Sequence, residues 1–97
     1  PRKAHALLKS LDDERALLER VRPDLSAGRV QVRIGREVHV PGLEECSYLT
    51  APLVVGEDVV GGVGVLGPKR MDYPRMRVLV EAMGRCLSER LAAWDER

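Results

Sequence analysis

The stretch GVLGPKRMDY, residues Gly64–Tyr73, decides the fold predicted for this chain. It follows an apolar segment interrupted by glycines, turns at Gly67 and Pro68, and leads into a long amphipathic pattern. Asp72 is a favourable helix N-cap residue, and Pro74 in the first turn loses no hydrogen bond that the helix needs. The stretch therefore predicts a strand, a tight connection and a helix, in that order.

Apolar residues after this connection recur at helical spacing. They predict a helix of roughly five turns at 3.6 residues per turn. The residues are Met76, Leu79, Val80, Met83, Leu87, Leu91 and Trp94.

A β-hairpin is predicted before the connection. Tyr48–Val55 and Val59–Leu66 are apolar runs separated by a Gly-Glu-Asp turn. Pro52 cannot donate a ladder hydrogen bond, which indicates an edge position or a bulge. Gly62 and Gly64 lie on one face and leave a shallow track over the backbone. We expect a helix or loop to cover the track, with a ligand or partner chain as the alternative.

The first half of the chain predicts one helix and one strand. Apolar spacing favours a helix over Arg2–Arg22, with a fresh start capped by Ser10 as the alternative. The turn-forming residues of Pro23–Gly28 are expected to end this helix. Arg29–Ile34 alternates strictly between apolar and polar residues, which predicts a half-buried strand, and Pro41–Ser47 is predicted to be a loop.

The order helix, strand, hairpin, helix predicts an α+β fold. We expect an antiparallel sheet of three to four strands, with the N-terminal and C-terminal helices on one face. The fourth strand depends on whether residues 37–40 are extended. At 97 residues, the chain is expected to form a single domain over residues 1–97.

Localisation is predicted from two absent signals. No apolar run approaches the roughly 20 residues that a membrane span needs. No signal peptide is recognisable, so we expect a cytoplasmic protein without a membrane partner. The chain begins with Pro1 rather than Met, which indicates a piece of a longer protein.

The charge pattern argues against a nucleic-acid-binding face in this chain. The formal net charge is +1, and 16 basic and 15 acidic residues are interleaved. A duplex-binding surface concentrates Lys and Arg so that several phosphates are neutralised together. The densest basic group has acidic neighbours, so we predict a solvated charged surface and no DNA-binding residues. This group consists of Arg22, Arg29, Arg33 and Arg36.

No catalytic, cofactor-binding or metal site is predicted. Gly62–Gly67 satisfies G-x-G-x-x-G, but the first two glycines lie inside a strand, and no helix follows directly to hold a pyrophosphate. Glu37 and His39 share a face if that segment is extended, yet a third ligand is missing. Cys46, in the predicted loop, is expected to be the more reactive thiol, while Cys86 is expected to pack under the last helix.

From Tyr48 to Tyr73 the chain resembles the C-terminal part of the heat-inducible transcription repressors, the HrcA family. Those proteins show a strand ending in a Gly-Val-Ile-Gly-Pro-type turn, then an Arg-Met-x-Tyr box and a final helix. Here the box is Arg70-Met71-Asp72-Tyr73. The resemblance implies the portion of a GAF-like domain that follows an inserted dimerisation region.

The resemblance also implies partners for the longer protein. It would bind an inverted-repeat operator as a homodimer, through a winged-helix domain that precedes this chain. Its active form would depend on the GroE chaperonin. Within this chain, we expect Lys69, Arg70, Met71 and Tyr73 to form a contact with another domain or a chaperone. The alternatives are a stand-alone GAF-like small-molecule sensor and a structural oligomerisation module.

Overall fold

The α+β fold predicted from the sequence is confirmed by a computed structural model that describes residues 11–95, with side chains for residues 14–94. Within that range lie two α-helices, three strands and one 3-10 helix. The elements are α1 (Leu11–Ser26), β1 (Gln31–Ile34), the 3-10 helix (Gly35–Val38), β2 (Cys46–Val55), β3 (Asp58–Pro68) and α2 (Tyr73–Asp95). The start predicted at Arg2 and the cap predicted at Ser10 lie outside the described residues. Neither described helix is long and apolar enough to cross a bilayer.

The sheet is antiparallel, in the order β1-β2-β3. Because the pairing with β1 extends along β2 only as far as Thr50, the later part of β2 has a neighbour only in β3. Pro52 lies in that part, opposite Gly62, and an irregular register follows between Leu53 and Val54. The prediction was an edge position or a bulge, and the missing neighbour on one side of Pro52 agrees with the first of these alternatives.

The strand β2 begins two residues earlier than predicted. Cys46 pairs with Pro68, and the Ser47 hydroxyl donates to the Pro68 carbonyl oxygen at 2.8 Å. These bonds extend the ladder into the predicted loop Pro41–Ser47. Residues 35–38 form a 3-10 helix instead of a fourth strand, because Gly35 adopts a φ of 63°.

The predicted end of the first helix was wrong. α1 continues through Pro23 to Ser26 and ends where Gly28 adopts a φ of 77°. A proline inside a helix removes one backbone hydrogen bond and normally kinks or breaks it. Here Asp24, in the last turn, is held by Arg33 and Tyr48, and these tertiary bonds maintain the turn.

The two helices pack on opposite faces of the sheet, whereas one shared face was predicted. Successive residues of a strand point to opposite faces, and β2 is central, so it supplies both cores. The core beside α1 contains Val38, Val40, Leu43, Cys46 and Tyr48. The core beside α2 contains Leu49, Ala51 and Val80.

Glycines allow close packing on both faces of the sheet. A Cβ atom at Gly62 would overlap Leu25 of α1, and a Cβ atom at Gly64 would lie 2.9 Å from the carbonyl oxygen of Leu49. The expectation that a helix covers this track is confirmed at Gly62. On the other face, Gly84 of α2 brings its helix close to Ala51, where an added Cβ would lie 3.0 Å from the Ala51 Cβ.

Candidate functional site

The connector, defined as residues Lys69–Asp72, joins β3 to α2 and contains most of the predicted contact residues. Its path is fixed against the start of β2. The Lys69 amide donates to the carbonyl oxygen of Glu45 at 3.0 Å, and the Tyr73 hydroxyl donates to the carbonyl oxygen of Lys69. The connector is therefore a bonded turn held on the sheet.

Met71 points inward, toward the core beside α2. Its Sδ atom lies 2.7 Å from the place that a Cβ atom on Gly67 would occupy. It packs against the core of Leu49, Ala51 and Val80. A methionine in this position fills an irregular gap, and it needs a glycine beneath it.

Asp72 caps α2 as predicted. Its carboxylate accepts a hydrogen bond from the Arg75 amide at 3.2 Å, and its carbonyl oxygen accepts one from the Met76 amide at 2.9 Å. The carboxylate thus accepts a hydrogen bond from the N-terminal end of α2, where free backbone amides could otherwise bind an anion. Tyr73 is half-buried behind this cap.

Lys69 and Arg70 are the exposed cations of the connector. The Nζ atom of Lys69 lies 3.7 Å from Oε2 of Glu45, and both groups are solvated. The Lys69 stem packs over Gly35, with Cδ 3.0 Å from the position of an added Cβ there. Among the described residues, Arg70 has no hydrogen-bond or ion-pair partner. Of the four predicted contact residues, Met71 and Tyr73 hold the turn, and Arg70 is the most available.

A second polar group, which we call the Asp24 cluster, is buried between α1 and the sheet. It comprises Asp24, Arg20, Arg33 and Tyr48. Asp24 is only 3% exposed and accepts hydrogen bonds from Arg33 Nη2 at 2.7 Å, from Arg33 Nε at 3.2 Å and from the Tyr48 hydroxyl. Arg20 Nη1 lies 3.8 Å from the same carboxylate. The carboxylate is thus surrounded by donors.

Burial and these partners act in opposite directions on Asp24. Burial by itself would raise its pKa, but the hydrogen bonds from Arg33 and Tyr48 and the charges of Arg33 and Arg20 hold that pKa below its ordinary value. For Tyr48, burial and then the hydrogen bond to Asp24 raise the pKa to about 12. An ionised carboxylate with all its partners in place, beside a neutral phenol, is a structural arrangement without a base available for catalysis.

Sequence reasoning missed this cluster. It assigned Asp24 to a turn and Arg33 to a solvated face. The register that pairs Arg33 with Tyr48 across the strands is the signal that could have suggested a shared site. Nothing in the sequence predicts that α1 would continue far enough to bring Asp24 over that pair.

The other candidate residues do not form a site. Glu37 accepts a hydrogen bond from the Ile34 amide at 2.8 Å, and His39 is exposed with a φ of 56°. No group of three potential metal ligands is present within residues 11–95. The expected positions of the two cysteines were reversed: Cys46 is buried in the core beside α1, while Cys86 is exposed on α2. Cys86 is two residues from sheet-facing Gly84, which places it on the opposite side of the helix.

A groove of about 460 Å³ lies between α2 and the part of β2 beyond β1. Apolar strand residues form its floor, and charged helix residues stand at its rim. The residues are Gly28, Arg29, Val30, Ala51, Pro52, Val54, Arg77, Glu81, Gly84, Arg85, Ser88 and Glu89. It is open to solvent and includes none of the four predicted contact residues.

Comparison with protein families gives one strong match. A family model described as the HrcA protein C-terminal domain matches residues 1–76. Similar curated proteins named heat-inducible transcription repressor HrcA occur in Parafrankia sp. (strain EAN1pec), 38% identical, and in Listeria monocytogenes (serotype 4a, strain HCC23), 39% identical, each over 87 residues. These alignments cover 90% of this chain but 26% and 25% of those proteins, so the chain spans about a quarter of their length.

A solved structure is also similar. It is a crystal structure described as that of a hypothetical protein at 2.2 Å resolution, and it is 30% identical to this chain. The superposition has a TM-score of 0.63 and covers 87% of this chain and 29% of the other. The likeness therefore extends to the fold as well as to the sequence.

Proposed function

Since the chain belongs to the HrcA family of heat-inducible transcription repressors, we propose that it forms the C-terminal scaffold of a repressor of heat-shock genes. The match over residues 1–76 to the C-terminal domain of that family carries the proposal. The family consists of transcription repressors rather than enzymes. The longer protein would act in the cytoplasm, in the stress response, as a homodimer.

We assign operator binding to a winged-helix domain that precedes this chain in the longer protein. The charges of the described residues support this division of labour, because many arginines and lysines have acidic neighbours. Arg20 and Arg33 surround Asp24, Lys69 lies beside Glu45, and Arg75 lies beside Asp72. This part of the chain therefore lacks the concentrated positive charge that neutralises several phosphates.

The small size of the sheet supports a role as one part of a larger domain. Three strands with packed helices are near the minimum for independent stability. We propose that segments preceding the chain add to this sheet and complete a GAF-like domain. The chain would then position the DNA-binding domains of the dimer.

Operator binding can be tested by electrophoretic mobility shift on a duplex carrying an inverted repeat. We expect the longer protein to shift this duplex in preference to a scrambled one, and the 97-residue chain to shift neither. Sequence-selective binding by the chain alone would contradict the division of labour. Absence of binding by the longer protein would contradict the repressor assignment.

We also propose that the connector contacts the GroE chaperonin. Exposure supports this proposal, since Arg70 has no partner among the described residues and Lys69 is only weakly paired. Met71 and Tyr73 would act by holding the turn that presents these cations.

The contact can be tested in the longer protein with Arg70→Glu. We expect the variant to lose chaperonin-dependent recovery of operator binding after denaturation, while the refolded fraction keeps its operator affinity. Arg77→Glu is the matched control, because Arg77 is an exposed arginine on α2 away from the connector. Equal losses in the two variants would show that the connector has no special part.

The groove beside α2 is the observation that favours the alternative, a small-molecule sensor of GAF-like shape. A ligand there would rest on an apolar floor and meet several arginines at the rim. A metabolite that raises the melting temperature of the chain, and loses this effect in Arg85→Ala, would favour the sensor. The oligomerisation module is the other alternative, and it depends on the outer face of α2.

A further inference from the structure

The helix α2 carries an apolar stripe on the side that faces away from the sheet. Val78, Ala82 and Cys86 are exposed, and the Val78 side chain is 69% accessible. Residues four apart lie on one face of a helix. The stripe therefore continues over two turns of α2, opposite the residues that contact the core.

Opposite charges lie at equal distances along the helix from the centre of this stripe. Arg75 is seven residues before Ala82, and Glu89 is seven residues after it. Seven residues are about two helical turns, so both charges lie on the same side as Ala82. Within the described residues, Arg75 is paired only with exposed Asp72 at 3.8 Å, and Glu89, which also stands at the outer rim of the groove, has no ion-pair partner. Both side chains are available to a partner.

The stripe and its flanking charges match those of a second copy of α2 in one relative orientation of the two helices. If two copies of α2 run antiparallel about a two-fold axis at Ala82, Arg75 faces the partner's Glu89, and Val78 faces the partner's Cys86. Ala82 then meets its own copy, and its small side chain permits a short distance between the helix axes. A parallel pair in register would instead place Arg75 beside Arg75 and Glu89 beside Glu89.

We propose that this face of α2 pairs with the same face of a second copy, antiparallel and centred on Ala82. Such a two-fold interface uses the same residues on both copies. The proposal goes beyond the scaffold role, because it names the surface and the register and requires no DNA binding. Leu79, which is 46% exposed and three residues before Ala82, would extend the apolar contact beside the seam.

The size of the surface sets the expected strength of the pair. α2 has 23 residues and is therefore about 34 Å long at 1.5 Å per residue. One helix on each copy supplies less than the roughly 1,200–2,000 Å² of stable interfaces. We expect a weak dimer for the chain alone, visible at high micromolar concentration, which would be strengthened by further contacts in a longer protein.

Charge reversal tests the register directly. We expect Arg75→Glu and Glu89→Arg each to weaken self-association several-fold in sedimentation equilibrium, and the double variant Arg75→Glu/Glu89→Arg to restore it. The control is the pair Arg77→Glu and Glu81→Arg, on the flank of α2 that faces the groove, and these changes should leave association unchanged. Circular dichroism verifies that each variant is folded. A monomeric parent chain, or a double variant no better than the singles, overturns the proposal.

Cysteine crosslinking tests the centre. In a Cys86→Ser background, Ala82→Cys should form disulfide-linked dimers on mild oxidation roughly tenfold faster than Glu81→Cys, because only the first pair of thiols is held together. Equal rates would overturn the antiparallel pairing. Both experiments use self-association as the readout. A failure of operator binding by the longer protein would therefore be seen separately.

Discussion

The two faces of the sheet are held to their helices by different forces. On the α1 face, a buried carboxylate accepts directional hydrogen bonds from β1 and β2. On the α2 face, the core is apolar, and the helix lies close to the sheet because Gly84 has no side chain. The α1 face thus adds a buried charged cluster to its apolar core, whereas α2 is placed mainly by close packing, with one hydrogen bond from the Val54 amide to the Ser88 hydroxyl at 2.9 Å.

The same strand serves both arrangements. Tyr48 points to the α1 side and Leu49 to the α2 side, and each is almost fully buried. Burying the Tyr48 hydroxyl requires a partner, whereas burying Leu49 requires only volume. The α1 face should therefore respond to changes of charge, and the α2 face to changes of size.

The largest effect is expected from Asp24→Ala, which would break the polar arrangement on the α1 face. The change leaves the buried Tyr48 hydroxyl without its acceptor, while the Arg33 side chain, 34% exposed, can turn to solvent, so we expect a loss of about 3 kcal/mol. Urea denaturation of the parent and the variant measures this loss in the free energy of unfolding. Asp58→Ala, at an exposed position in β3, is the control and should change stability little. A loss for Asp24→Ala as small as that of the control would remove the contrast between the faces.

High pH should weaken the α1 face selectively. Tyrosine in an unfolded chain ionises near pH 10, while Tyr48 has its pKa raised to about 12 in the folded state. The raised pKa means that its contribution is fully present below about pH 10 and is lost as the pH rises toward 12, by about 1.4 kcal/mol per unit. Melting temperatures of the parent should fall more steeply than those of Tyr48→Phe over this range. Identical slopes would show that Tyr48 does not contribute.

The contribution of Asp24 to stability depends on pH in the opposite direction from that of Tyr48. The pKa of Asp24 is lowered by its partners, so its stabilisation is present above the ordinary carboxyl pKa of about 4 and is lost as the pH falls. The Asp24→Ala variant should show a flatter acid-denaturation profile than the parent.

The packing of α2 on the sheet should be sensitive to an increase in side-chain size. Gly84→Val places a branched side chain against Ala51, where even a Cβ atom would lie only 3.0 Å from the Ala51 Cβ. Overpacking of this kind costs about 1–3 kcal/mol. Ala93→Val, at an exposed position on the same helix, separates the helix propensity of valine from the clash. An unfolding free energy for Gly84→Val equal to that of the control would show that the helix can move away at no cost.

The smallest effect is expected at the connector, which belongs to neither core. Asp72→Ala removes the N-cap of α2 and should cost about 1 kcal/mol. Asp72→Asn retains a capping oxygen and should recover most of the loss, as measured by thermal unfolding. If neither variant changes stability, the helix start is held by Met71 and Tyr73 alone.

Much of the fold could be predicted, because local patterns specify it. Alternation in Arg29–Ile34 and the capping residue Asp72 gave β1 and the start of α2 within two residues. The hairpin was correct, although both strands are longer than predicted. The four contact residues could be placed on a turn, but the inward orientation of Met71 could not be anticipated, because it depends on the space above Gly67.

The sequence by itself determined the α+β class, the antiparallel hairpin and, through the Arg70–Tyr73 box, the family. These follow from periodicity and turn chemistry, which act between residues close in the chain. Only the tertiary structure decided that the helices occupy opposite faces, that α1 continues through Pro23, and that Asp24 is buried with Arg33 and Tyr48. The physical reason is that burial and hydrogen bonding between distant residues can outweigh the local preference of a proline, and these interactions exist only once the sheet and its helices have assembled.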